Sequence, residues 1–174
     1  SVDVLRRISP AIVFTRTKHG ADRLAKQLHQ DGLKTAAIHG NRSQKQREQA
    51  LARFSDGRVT TLVATDVAAR GIHVDSVAAV VHYDQPATVK DYVHRSGRTG
   101  RAGAEGLVVS FVGSEETQDV QSLQRDLSLP IGLHELDLQL LTALEHPAPV
   151  HVHKPSPQRQ RAGRPPQKRT RAKG

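Results

Sequence analysis

Three arginines recur at every third position in His94-Arg-Ser-Gly-Arg-Thr-Gly-Arg101, with Gly97 and Gly100 standing between them. A guanidinium is a permanently charged planar fork that can grip two phosphate oxygens at once. Glycines so placed stop a helix. The spacing therefore predicts a helix end and a following loop from which Arg95, Arg98 and Arg101 project on one side. Folding does not need that arrangement, but phosphate binding does. In phosphoryl transfer such an arginine stabilises the charge developing on a γ-phosphate that a neighbouring domain holds.

Hydroxyls, glycine and positive charge also gather where apolar runs end. Arg16-Thr17 follows Ala11-Ile-Val-Phe-Thr15, and His39-Gly40-Asn41 closes Thr35-Ala-Ala-Ile-His39. Thr65-Asp66 closes Thr61-Leu-Val-Ala-Thr65, and Tyr83-Asp84 follows a fourth run. In an open parallel sheet, ligands bind beyond the carboxyl ends of the strands, where helix N-termini present backbone N–H groups. Gly40, lacking a side chain, lets a backbone approach an anion closely. Taken singly, Thr17, Ser43 and Asp66 need do no more than cap the helices they precede.

The elements that must position these residues alternate along the chain. The strand at Ala11–Thr15 leads to a helix from Thr17, with Ala21, Leu24, Ala25 and Leu28 on one face. The strand at Thr35–His39 leads to a helix entered at Ser43, where Ser43 and Gln46 have capping-box spacing and Ala50, Leu51 and Phe54 point inward. Thr61–Thr65, a short turn from Asp66 to Gly71, and a strand at Val77–Val81 come next. Thr88 with Asp91 opens another helix, Leu107–Val112 is a fifth strand, and Glu115–Leu127 is a last helix. Strand–helix alternation with near-continuous apolar strands predicts an α/β fold: a parallel sheet with helices on both faces. This domain covers residues 1–129. Leu133, Leu136, Leu140, Leu141 and Leu144 suggest one further amphipathic helix over 130–146, and residues 147–174 form a basic tail too poor in apolar groups to fold when free.

Charge is divided the same way. Of 26 Lys/Arg and 17 Asp/Glu, residues 1–150 hold 18 and 17, whereas residues 151–174 hold 8 and none. Such a tail attracts polyanions by releasing their counterions, with nucleic acid the first partner to consider and an anionic membrane surface the second. The absence of cysteine excludes a disulfide framework and thiolate-ligated zinc. His151 and His153 lack the further ligands a metal site needs, so no metal site is expected. Nothing in the first residues given resembles a signal peptide and no apolar run approaches membrane length, so a cytoplasmic protein is the expectation.

Four segments in order carry a family resemblance: Ala11-Ile-Val-Phe-Thr-Arg-Thr17, His39-Gly-Asn-Arg-Ser-Gln-Lys-Gln-Arg47, Ala64-Thr-Asp-Val-Ala-Ala-Arg-Gly71 and Tyr92-Val-His-Arg-Ser-Gly-Arg-Thr-Gly-Arg-Ala-Gly103. They resemble motifs IV, IVa, V and VI of the DEAD-box RNA helicases, and Ala-Thr-Asp-Val with Thr99-Gly-Arg101 separates the chain from DEAH-type and RecQ-type relatives. The resemblance implies the second, C-terminal RecA-like domain of an ATP-dependent RNA helicase, with RNA and an N-terminal RecA-like domain as partners. It implies γ-phosphate contacts from Arg98 and Arg101, and ATP-site or interdomain roles for His94, Arg95, Gly71 and His73. RNA contacts would fall to Thr65, Arg47, Gly40, Gln44 and Arg70, with Phe14 packed behind motif VI. The tail is expected to bind RNA without sequence preference.

Two departures qualify this expectation. His73 stands where the family usually has an aspartate that accepts a hydrogen bond from the ATP ribose, which implies weaker ribose anchoring. The chain also contains neither a Gly-x-x-x-x-Gly-Lys-Ser/Thr loop nor an Asp-Glu-Ala-Asp run. ATP and Mg2+ would then be held mainly by the N-terminal domain, and this chain alone is expected to be inactive. The alternative is a non-catalytic RecA-like module that only binds RNA.

Overall fold

The computed structural model describes residues 2–70, 74–75, 77–100, 105–134, 136 and 151–152. In chain order the elements are α1 (Val2–Arg7), β1 (Ala11–Phe14), α2 (Lys18–Gln30), β2 (Thr35–Ile38), α3 (Gln44–Ser55), β3 (Thr61–Ala64), α4 (Asp66–Ala69), β4 (Val74–Asp75) and β5 (Ala79–His82). These are followed by α5 (Val89–Ser96), β6 (Leu107–Ser110), a 3-10 turn (Ser114–Glu116), α6 (Thr117–Asp126) and β7 (His151–Val152).

Five strands form one sheet in the order β2-β3-β1-β5-β6, and every pairing in it is parallel. Alternation along each strand sends side chains to opposite faces and so builds two cores. Ala11 and Val13 of β1, Val63 of β3 and Val81 of β5 meet Leu5, Ile8, Leu24 and Leu28 of the α1–α2 side. Ile12 and Phe14, with Leu62 and Val80, face the other way onto Phe54, Val59, Ala68 and Val74. The parallel α/β sheet covered on both faces is the architecture the unbroken apolar runs predict.

Helix entry follows the residues that signalled it. The Thr17 hydroxyl accepts from the Gly20 N–H, and Ser43 with Gln46 closes a complete capping box. Several details depart from expectation. The short helix α1 was not anticipated, and the turn expected after Thr65 is the single-turn helix α4. β5 begins two residues later than its apolar run, because Val77 is engaged in a separate bridge to Thr99. Residues 130–134 take no regular structure, and beyond Leu136 the expected helix lies outside the described residues. So does the basic tail, apart from β7, whose backbone pairs antiparallel with β4. Among the described residues no helix is long and apolar enough to cross a membrane.

Candidate functional site

The site is built on the carboxyl edge of β1, β3 and β5. Helix α5 starts at Thr88, whose side chain accepts from the Asp91 N–H, and ends at Ser96 with Gly97 as its C-cap. Within it Arg95 turns inward, its side chain only 3% exposed. Its Nε and Nη2 each donate to one carboxylate oxygen of Asp66 at 2.7 Å, and its Nη1 donates to the Asp84 carbonyl at 2.7 Å. The guanidinium lies 5.1 Å from the Phe14 ring centroid, so Phe14 does pack behind this helix. Asp66 opens α4 but serves as this bidentate partner, while the N-cap position belongs to Thr65, which makes no side-chain cap bond.

Arg95 is thus buried where Arg98 is only half-buried. Expected on one projecting face with Arg98 and Arg101, it is a buried clamp between α5, α4 and the end of β5. The cause is the helix end: positions three apart share a face only while the helix continues, and α5 stops at Ser96. Arg98 lies past the Gly97 cap, half-buried, with Nη2 at 3.5 Å from the Ala69 carbonyl. It lines one small cleft with Arg70, Asp91, His94 and the inner end of Arg95. Arg70 Nη2 donates to Asp91 at 2.6 Å. The Thr88 hydroxyl and Arg70 together hold the Asp91 carboxyl below the usual carboxylate range, against the partial burial that opposes it. His94 is exposed on the same helix.

The loop after Arg98 is pinned by Thr99. Its hydroxyl is directed at the carbonyls of Val77, at 2.6 Å, and Ala78, at 3.1 Å. Gly100 then takes a φ of 65°. A Cβ on Gly106 would stand 2.3 Å from the Gly100 nitrogen, so both glycines are needed where the chain passes itself. Arg101, Gly71 and His73 lie outside the described residues.

The expected nucleic-acid contacts fall on the β2–β3 side of the same edge. Thr65 is 7% exposed at the end of β3. Arg47, on α3, sends Nη2 to the Ala68 carbonyl at 3.3 Å, while its Nε is buried without a hydrogen-bond partner. Gln44 is exposed and donates to Glu48 at 2.8 Å. Gly40 has open space where a side chain would stand.

Two features escaped the sequence analysis. His39 is buried behind Gly40, and its Nε2 lies 2.8 Å from Asp22, which also receives Arg42. Burial pushes the Asp22 carboxyl up, but His39 and Arg42 outweigh it and leave the group below its ordinary value. His82 is fully buried at the end of β5, packed edge-on between Phe14 and Tyr92, with Nδ1 3.1 Å from the Ser110 hydroxyl. Burial, reinforced by the Arg95 charge, lowers its pKa to about 3 although Asp66 pulls the other way. A polar residue ending an apolar strand gives no sign of such burial. Asp22 and His39 are separated by 17 positions, and only the fold joins them.

This edge presents Arg70 and Arg98 to one cleft, guanidinium donors that suit phosphate oxygens. Among the described residues no group of acidic, histidine or cysteine side chains could hold a metal ion.

Comparison with known proteins identifies the family of the domain. The helicase conserved C-terminal domain family matches residues 2–103. The ATP-dependent RNA helicase RhlB of Shewanella sediminis is 42% identical over 144 residues, covering 83% of this chain and 33% of that protein. The DEAD-box ATP-dependent RNA helicase 30 of Arabidopsis thaliana is 44% identical over 119 residues, 68% of this chain and 20% of its own length. The chain therefore spans a third or less of these curated relatives. In structure it is similar to the E. coli DEAD-box protein SrmB, crystallised bound to the regulator of ribonuclease activity A. That match has a TM-score of 0.73 and 34% identity, over 80% of this chain and 82% of that one. With the parallel sheet, the described motif residues on its carboxyl edge and these matches in agreement, the chain belongs to the helicase conserved C-terminal domain family, as a C-terminal RecA-like domain of the DEAD-box type.

Proposed function

We propose that this chain is the second catalytic half of an ATP-dependent RNA helicase working in the cytoplasm. It closes against an N-terminal RecA-like domain, offers Arg98 and Arg101 to the γ-phosphate of ATP, and contributes part of the RNA surface used in local duplex unwinding. The observation that carries this reading is the division of labour on α5. Arg95 is locked inside by Asp66, and that clamp fixes the helix end from which Arg98 reaches the cleft. Arg95 is therefore a positioning residue.

The residues present suit phosphate oxygens and not a magnesium ion. Asp66 and Asp91 are already committed to Arg95 and Arg70. Mg2+ is assigned to the N-terminal domain, where it supplies charge neutralisation of the phosphates. Arg98 keeps its positive charge at every working pH, and Thr99 holds the Arg98 loop to the Val77–Ala78 segment just ahead of β5. Gly71 and His73, from their motif positions, are assigned to the nucleotide side, and exposed His94 to the interdomain contact.

For RNA, the Gly40 backbone, Gln44, Arg47 and Thr65 form one phosphate-binding stretch along the β2–β3 edge. Arg70 joins it by exchanging Asp91 for a phosphate, a modest cost because the Arg70 side chain is 57% exposed. The basic tail adds sequence-independent affinity.

The test is a two-domain protein carrying Arg98→Ala with Arg101→Ala. RNA-stimulated ATP turnover should fall by about a thousandfold, the scale of an arginine finger, while RNA affinity is largely retained. Unchanged turnover would overturn the assignment. An unmodified two-domain protein that binds RNA but never turns over ATP would instead mark a non-catalytic module.

A further inference from the structure

β2 closes one side of the sheet, and among the described residues nothing pairs with its outer edge. Lys34 and Ile38 turn their carbonyls inward, accepting from the Thr61 and Thr65 N–H groups. Strand alternation then turns the N–H and carbonyl of Thr35 and of Ala37 outward, where they find no partner among the described residues. Beside this edge lies a groove of about 490 Å3, walled by α3. Gln46, Gln49, Ala50 and Arg53 line it at the spacing of one helix stripe. Arg42 follows the carboxyl end of β2. Val59 donates to the Arg53 carbonyl and Thr60 to that of Lys34, which sets Arg53 and Arg58 by the amino end of β2. No acidic side chain lines the groove among the described residues. Arg42 and Arg58 touch Asp22 and Asp56 at exposed pairs, whereas the Arg53 guanidinium is in no ion pair among the described residues. The buried Nε of Arg42 has no hydrogen-bond partner.

We propose that this groove docks an acidic, extended segment of another protein, which adds to β2 as a further strand and sets carboxylates against Arg42, Arg53 and Arg58. The outward carbonyls decide against nucleic acid. Phosphate oxygens only accept hydrogen bonds and would face the Thr35 and Ala37 carbonyls as like charges, whereas a peptide strand brings an N–H to each carbonyl and a carbonyl to each N–H. A second copy of the same edge fits poorly, because pairing would bring arginines against arginines. β2 has four residues, Thr35–Ile38, so the docked segment needs roughly four to six, with acids at alternate positions where its side chains face α3. This groove and the Arg98 cleft share no lining residue, so the docking stands or falls separately from the catalytic reading.

The probe is the end-blocked peptide Glu-Thr-Glu-Thr-Glu-Thr, titrated into the full chain, with Lys-Thr-Lys-Thr-Lys-Thr as its counterpart. Amide signals of β2 and of α3 from Gln46 to Arg53 should shift with the first peptide and not with the second. Arg53→Glu with Arg58→Glu should weaken glutamate-peptide binding by about tenfold and favour the lysine peptide. Ala37→Pro removes one outward N–H and leaves the β2–β3 bonds in place, so it should abolish the shifts while the β3 amide signals stay where they are. If that proline unfolds the domain, the arginine replacements decide alone. No shift at β2, equal binding of the two peptides, or undiminished affinity after both arginine replacements would overturn the proposal. So would oligouridylate shifting these amides in place of the peptide, or β2 signals that change with chain concentration alone, the mark of two copies pairing.

Discussion

Two corners of the domain use the same device, an aspartate that ties two elements together through nitrogen-bearing side chains, and they differ in burial. At the α4–α5 corner Asp66 holds Arg95 in a bidentate pair, with Arg95 3% and Asp66 29% exposed. At the α2–β2 corner Asp22 receives His39 and Arg42, but the Asp22 and Arg42 side chains are 43% and 37% exposed. Water screens the second pair on both sides but reaches the first only from the Asp66 side. The difference teaches that the charge pattern alone does not say which pair holds the site together. At the first corner the guanidinium also occupies the Asp84 carbonyl and the Phe14 face, so losing it would strand several groups at once.

The sharpest way to break this comparison is Arg95→Ala. Asp66 would be left without its bidentate partner and the Asp84 carbonyl without a donor. Removing one member of a buried pair costs about 3–5 kcal/mol. Urea denaturation should show that loss, and Arg95→Lys should recover only part of it because an ammonium cannot form the fork. A loss as small as that of an exposed pair would mean the two corners are equivalent.

A second test uses His82, which lies against the same buried corner. Its folded pKa of about 3 is below the ordinary value of 6.5, so the folded domain keeps the ring neutral while the unfolded chain takes up a proton. The stability it contributes is therefore complete above pH 6.5 and is lost as pH falls toward 3. One such proton gives a slope of about 1.4 kcal/mol per pH unit, or roughly 2 kcal/mol between pH 6.5 and 5. His82→Leu should remove that slope from urea unfolding over this interval, above the range where Asp22 and Asp91 titrate. An identical slope in both proteins would show that the ring is not shielded as its position between Phe14 and Tyr92 implies.

What the sequence made legible follows from the length of each signal. The five strands and α2, α3 and α5 carry apolar runs or capping residues that a linear pattern registers. The cleft position of Arg98 was legible because glycines bracket it. The inward turn of Arg95 was not, since it depends on where α5 ends and on an aspartate 29 positions away. The elements α1, α4, β4 and β7 have between two and six residues, too few to show a period. Long-range partners, such as Ser110 for His82, exist only once β5 and β6 are neighbours. Chemistry carried by residue type and spacing was thus open to reading, and chemistry made by tertiary proximity was not.

The smallest effect should come from the exposed corner. Arg42→Ala removes one of the two partners of Asp22 but leaves His39 hydrogen-bonded to the same oxygen, and water can replace the guanidinium. The expected destabilisation is below about 1 kcal/mol, and added salt should narrow the gap from the unmodified domain. His39→Ala should cost more, because His39 is 2% exposed and its removal opens a void behind Gly40. The ordering discriminates more sharply than either value. If Arg42 mattered as much as Arg95, exposure would not govern these pairs. If His39 mattered no more than Arg42, the α2–β2 corner would be held by its surface charge and not by the buried ring that joins α2 to the Gly40 turn.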